Sequence, residues 1–214
     1  MVLTTFRSRS GAIGVLIGIM LSLGACLQTA PPPADPYLGL MPAGRQVTQA
    51  AQQFPIVGSG KSVAVVLSSS SDKQMAFVAD FVKQLKNNPL YTYRADFDEV
   101  LQPQFVLTSI VNKFKERFAR VESLGDFRGV AAARVDYVAL IDIAVQFPRE
   151  FNYYYQYDIR VDLLTPTLER IGTLTGHGRQ SYSCIPIDCA LATQLRAMKQ
   201  AVGAFDAAFD ANIK

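Results

Sequence analysis

The stretch from Tyr137 to Leu163 constrains this chain more than any other. Tyr137, Ala139, Ile141, Ile143, Val145 and Phe147 recur at every second position, Pro148-Arg149-Glu150 makes a turn, and Tyr153, Tyr155, Tyr157, Ile159, Val161 and Leu163 alternate again. A period of two belongs to a strand, whose successive side chains point to opposite faces. The other face of the second strand shows Tyr154, Gln156, Asp158, Arg160 and Asp162. One side is thus apolar and one polar, which predicts a half-buried antiparallel hairpin. Leu164 to Arg170, with Pro166, makes a second turn, and Ile171 to Tyr182 reads as a third strand. Gly172, Gly176 and Gly178 within it signal a bulge or the close approach of another backbone.

A three-strand meander over about residues 136–182 must bury its apolar face against something. Leu191, Leu195, Met198, Val202, Phe205 and Phe209 step by threes and fours, the stripe of a C-terminal helix over about residues 190–212. Upstream, Val63-Ala64-Val65-Val66-Leu67 is a short apolar run, as expected of a strand covered on both faces. Ser68 to Asp72 supplies helix N-caps rather than a phosphate loop, since the Gly-x-x-x-x-Gly-Lys pattern is missing. Met75, Val78, Val82 and Leu85 then mark a helix that stops at Asn87-Asn88-Pro89. Pro103 opens a further helix with Phe105, Ile110 and Phe114 on its buried side. Leu90 to Asp98 reads as an edge strand or loop, and Phe118 to Val121 as a short strand. The expected class is α+β: a single mixed sheet holding the meander and covered by helices.

The amino terminus carries a different message. Arg7 and Arg9 precede an uncharged apolar run from Ala12 to Leu23, the pattern of a secretory signal peptide. The run is shorter than the ~20 residues of a membrane-spanning helix. It ends in Leu23-Gly24-Ala25-Cys26, which resembles the lipobox of bacterial lipoproteins. That resemblance implies cleavage after residue 25, lipidation of Cys26 and a membrane partner; Leu27, in place of Asp, implies the outer membrane, with the domain facing the periplasm. Residues 26–60, with Pro31-Pro32-Pro33, Pro36 and Pro42, are expected to be a tether that lifts a periplasmic domain of residues 61–214 off the membrane. Removing Arg7 and Arg9 takes the net charge of +3 down to +1, which gives no electrostatic footprint for nucleic acid. Cys184 and Cys189 are expected to form a disulfide in an oxidising periplasm, worth only about 2 kcal/mol across so small a loop.

The order of elements also resembles a family. Val135-Asp136-Tyr137-Val138-Ala139-Leu140-Ile141-Asp142, the meander and the final helix look like the periplasmic α/β lipoproteins around the amino-terminal domain of TolB, the activators of penicillin-binding proteins and the curli secretion lipoprotein. Asp162-Leu163-Leu164-Thr165 fits that pattern, whereas Pro166-Thr167-Leu168 stands where Thr-Gly is usual. Tyr93-Arg94-Ala95-Asp96-Phe97 echoes the auxiliary lipoproteins of ABC-type lipid transporters, the competing resemblance. Both imply a non-enzymatic binding or accessory subunit of a cell-envelope assembly, with an envelope protein as partner and self-association left open.

The residues give little support to catalysis. His177 is the single histidine. A hydrolase would need it to pair with Asp142, Asp158 or Asp162 and a serine, but no Gly-x-Ser-x-Gly elbow accompanies it. No metal-ligand spacing appears, and no cofactor is expected. Tyr154, Gln156, Asp158 and Arg160 form the candidate partner surface, since aromatic and arginine side chains are enriched at binding hot spots; a linker or helix over that face is the competing arrangement. Cys26→Ala should abolish acylation and leave a precursor or soluble chain, read by metabolic labelling with a fatty-acid analogue. Label on the variant would refute the lipobox.

Overall fold

The computed structural model describes residues 30–32, 34–51, 53–87, 102, 104–148, 153–181 and 187–214. Six strands form one mixed sheet. They are β1 (Thr48–Gln49), β2 (Ser62–Leu67), β3 (Arg120–Leu124), β4 (Tyr137–Gln146), β5 (Tyr154–Leu164) and β6 (Glu169–Ser181). Their spatial order is β1-β6-β5-β4-β2-β3. The helices are α1 (Ser69–Lys86), α2 (Phe105–Arg117), the short α3 (Val130–Ala133) and α4 (Ile187–Asn212).

β2 lies between β3 and β4, runs parallel to both and is buried along its middle, which explains its unbroken apolar run. β4, β5 and β6 form the antiparallel meander. The α+β class, the mixed sheet and the covering C-terminal helix are as the sequence predicts. Ser68 caps α1 by accepting from the Ser71 amide, and Asn87 closes the helix. At the opposite end of β2, Asp136 accepts from the backbone amide and hydroxyl of Ser62 and from Lys61. Those bonds, led by the amide, hold the Asp136 carboxyl down to about 2. The Asp before the β4 run thus clips the start of β4 to the start of β2.

The main core lies on one face of the sheet. Phe77 and Val78 of α1, Ile110 and Phe114 of α2, and Met198, Phe205 and Phe209 of α4 pack on Val65, Ile141, Ile159 and Val161. α4 approaches β6 unusually closely. A Cβ on Gly178 would lie 1.9 Å from the Ala197 carbonyl oxygen, and one on Gly176 would lie 2.2 Å from that of Ala201. Ala197 and Ala201 are fully buried, so small residues on both sides let a helix backbone lie on a strand backbone. The register shifts between Leu163 and Leu164, a bulge beside Gly172, whose Cα face is filled by the Phe54 ring. Both meanings of strand glycine are realised in β6.

The expected tether is only partly a tether. Ala30, Leu40 and Ile56 are buried, β1 pairs in parallel with β6, and the amide of Gly58 donates to the carbonyl of Lys214. Tyr37, Leu40, Met41 and Val47 join a second cluster on the other face, with Val66, Phe127, Val138, Leu140 and Leu164. The folded unit thus takes in the described residues of 30–60, ahead of the expected boundary at residue 61. The physical reason is that isolated apolar residues in a Pro/Gly-rich stretch have no period, yet each finds exposed sheet to cover. Cys26, Cys184 and the Leu90–Asp98 stretch lie outside the described residues. Gly178→Ala should force α4 off the sheet, at a cost of about 1–3 kcal/mol. A thermal melt should show it as a clear drop in Tm, and an unchanged Tm would refute the close contact.

Candidate functional site

The polar side of the meander forms a flat array set by strand register. Asp142 faces Arg160, Ala144 faces Asp158, and Gln146 faces Gln156 across β4 and β5. Across β5 and β6, Asp162 faces Thr173, Arg160 faces Thr175, Asp158 faces His177, and Gln156 faces Arg179. All are outward positions of alternating strands, so the array exists because the inward positions are committed to the core.

At one end stands Asp162, whose side chain is 2% exposed. Arg160 grips it with two bonds, Nε at 3.1 Å and a terminal nitrogen at 2.9 Å. Thr173 donates at 2.6 Å and the Tyr37 hydroxyl at 2.5 Å. Arg170 adds a cation at 3.7 Å. Burial by itself pushes this carboxyl up, but the bonds from Arg160, Thr173 and Tyr37 outweigh it and hold the group below the usual carboxylate range. Tyr37 is pushed up, first by its own burial and then by the bond to Asp162. Tyr37 also stacks on Phe127, with ring centroids 6.2 Å apart.

Toward the other end the face is open. Gln156 donates to Asp158 at 2.6 Å, and His177 Nδ1 lies 2.6 Å from the second Asp158 oxygen. The side chains of His177 and Asp158 are 57% and 39% exposed. The Arg179 guanidinium sits 3.5 Å over the Tyr154 ring, in cation–π geometry. Of the four predicted surface residues, Tyr154, Gln156 and Asp158 lie on this open part. Arg160 is half-turned to structure, because it braces Asp162. The competing arrangement, in which the linker covers the face, holds for the Asp162 end.

The structure brings His177 to Asp158, one of its three expected carboxylate partners. The serine hydroxyls meet a different carboxylate: Ser68 donates to Asp142 at 2.5 Å, and Ser68 and Ser71 are fully buried at the α1 cap. The Gln156 amide binds the other oxygen of Asp158, on the carboxylate side of the pair and not at His177 Nε2, where a triad places its serine. Sequence reasoning missed Tyr37, Thr173, Arg170 and Arg179. Thr173 and Arg179 carried a signal as outward positions that each directly follow a β6 glycine, Gly172 and Gly178. Tyr37 carried none beyond being an aromatic among prolines. Cys189 stands half-buried in the first turn of α4, its carbonyl accepting from Thr193 at 2.8 Å. Its pairing with Cys184 stays a proposal.

Tyr37→Phe removes one donor from a buried charge and should cost about 1–3 kcal/mol. The sign with pH follows from the depressed carboxyl. Asp162 contributes stability above its unfolded value, and that contribution is lost as pH falls through its lower folded value. A variant with fewer donors protonates Asp162 sooner, so acid unfolding of Tyr37→Phe should begin at higher pH than in the parent. Coincident acid transitions by circular dichroism would refute the clamp.

No protein-family model matches this chain, and no curated protein sequence matches it. Among solved structures, the chain is similar to a dodecamer of a PelC point variant from Paraburkholderia phytofirmans. The two share 12% identity over 69% of this chain and 95% of that one, with a TM-score of 0.37.

Proposed function

We propose that this chain is a membrane-anchored envelope lipoprotein whose α+β domain serves as a non-enzymatic accessory subunit, binding a protein partner through the open end of the polar sheet face. Lipidation at Cys26, outer-membrane sorting and the Cys184–Cys189 staple belong to the same reading. They rest on the lipobox, Leu27 and the cysteine spacing.

The observation that carries the binding role is the order of the open face. Gln156, Asp158 and His177 hold one another, and Arg179 is stacked on Tyr154, so the groups are fixed before a partner arrives. Preordered side chains lose less rotamer entropy on binding, about 0.5–1.5 kcal/mol less per side chain. Tyr154 and Arg179, at the end of this half-exposed patch where β5 starts and β6 finishes, are of the residue types that dominate interface energetics.

Arg160 is a poor probe of this surface, because removing it also strips Asp162 of two bonds. Tyr154→Ala combined with Asp158→Ala tests it cleanly. After crosslinking in intact cells, the double variant should lose most of the partner captured by the parent chain. Lys113→Ala, on α2 behind the sheet, should retain it. His177→Ala should weaken capture partly, since it releases Asp158. A folded double variant that keeps every crosslinked partner would refute the surface.

A further inference from the structure

We infer that the outer edge of β3 pairs antiparallel with β3 of a second copy of this chain, about a two-fold axis at Val121, with Arg120 of each copy opposite Glu122 of the other. β4 and β2 separate this edge from the polar face of β5 and β6, so the contact is independent of the proposed partner surface.

The first observation is an edge left bare. β3 ends the sheet and pairs only with β2. The Ser68 amide donates to the Ile141 carbonyl at 2.9 Å, one step past the Leu67–Ile141 pair. The backbone groups of Ser62, Ala64 and Val66, at the same parity, therefore turn to β4, and those of Val63 and Val65 turn to β3. In a parallel ladder a residue bonds to the neighbours of the one it faces. Val63 faces Val121 and Val65 faces Ser123, so the amides and carbonyls of Val121 and Ser123 point away from the sheet. No described residue bonds them. Unpaired edges are usually blunted by a proline, a bulge, great shortness or charges of one sign. The opposite edge, β1, is two residues long. β3 runs Arg120-Val121-Glu122-Ser123-Leu124, without proline, glycine or a break in its register with β2.

The second observation is that its charges complement themselves. Arg120 and Glu122 lie two apart, on one face of the strand. Within one chain they meet only at 4.0 Å, with side chains 52% and 40% exposed. The Arg120 guanidinium is aimed by the carbonyls of Ala133 and Arg134, at 2.8 and 3.1 Å. Like charges directly opposite each other across two strands repel, and unlike charges attract. An axis at Glu122 would set two carboxylates face to face, and one between Ala119 and Val121 would do the same to two guanidiniums. An axis at Val121 gives two Arg–Glu pairs, at the positions without backbone bonds, where facing side chains come closest. In that register each Val121 amide donates to the other copy's Val121 carbonyl, and each Ser123 amide to the other copy's Ala119 carbonyl. The axis stands perpendicular to the sheet, so the polar faces of both copies look the same way.

The test is the size of the full chain, solubilised in mild detergent, by gel filtration with light scattering. The parent should run as two copies. Glu122→Arg, which sets Arg against Arg, should run as one copy with an unchanged circular dichroism spectrum. Mixing it with Arg120→Glu, whose pairs are Glu against Glu, should restore a two-copy species. The register is read by oxidation in a chain carrying Cys184→Ser and Cys189→Ser, with that chain itself as the blank. Val121→Cys places its two α-carbons about 5.5 Å apart across the axis, within disulfide reach, and should bridge. Ser123→Cys places them about 14 Å apart, four strand residues out of register, and should not. A parent of one copy at every concentration overturns the pairing, as does a Glu122→Arg chain that stays at two. Bridging by Ser123→Cys without Val121→Cys overturns the register. Val121→Cys that bridges in cells to a different protein overturns the second copy as occupant.

Discussion

The buried carboxylate of Asp162 decides how the amino-terminal strap meets the sheet. An ionised group out of water is tolerated only when its lone pairs are filled. Arg160 comes from the same strand, Thr173 and Arg170 from the neighbouring one, and Tyr37 from a segment 125 residues earlier. The first three would assemble in any correctly registered β5–β6 pair. Only Tyr37 requires the proline-rich stretch to lie across the face. Once it does, Leu40 and Met41 cover Leu140 and Val138. The polar bond chooses the path of the strap, and apolar burial holds it there.

Magnitudes separate these roles. Each large apolar side chain fully buried contributes about 1.5–3 kcal/mol. The cluster formed by α1, α2 and α4 contains many of them, among them Phe77, Phe114, Phe205 and Phe209. A buried ion pair nets far less, because desolvation offsets most of its attraction, while stripping one partner is expensive. Packing across the glycines of β6 therefore supplies the bulk of the stability. The clamp contributes uniqueness: of the ways a loose, proline-bent segment could cover an apolar patch, one also satisfies Asp162.

The parts of the fold legible in the sequence are those with a period. Alternation found β4 and β5, the unbroken run found β2, and the three-four step found α4. The glycines of β6 were legible as close contact, though not which backbone approaches them. The strap was invisible because Tyr37, Leu40, Phe54 and Ile56 follow no period, and the surrounding prolines read as linker. The two-residue β1 is too short to show alternation at all. The site was half legible. Tyr154, Gln156, Asp158 and Arg160 are on one face because parity requires it. That His177 meets Asp158, and not Asp142 or Asp162, depends on the bulge between Leu163 and Leu164, which moves the β5–β6 register by one residue. A register cannot be counted through a turn that hides an extra residue.

The same parity explains why the clamp sits where it does. On the outward side of β4, Val138 and Leu140 are buried, whereas Asp142, Ala144 and Gln146 are half-exposed; on β5, Leu164 and Asp162 are buried, whereas Arg160, Asp158 and Gln156 are half-exposed. Both strands change from two-sided to one-sided burial at the same level. Asp162 is the last covered position on β5 and Arg160 the first wet one. An ion pair placed on that boundary keeps its carboxylate in the low-dielectric side, where its bonds are strong, and its guanidinium partly in water, where its desolvation is small. One residue deeper, the pair would lose hydration on both partners; one residue further out, water would compete for every bond. The boundary between covered and open sheet is thus written in the order of side chains along β4 and β5. It separates the half of the face that seats the strap from the half left free to meet another molecule.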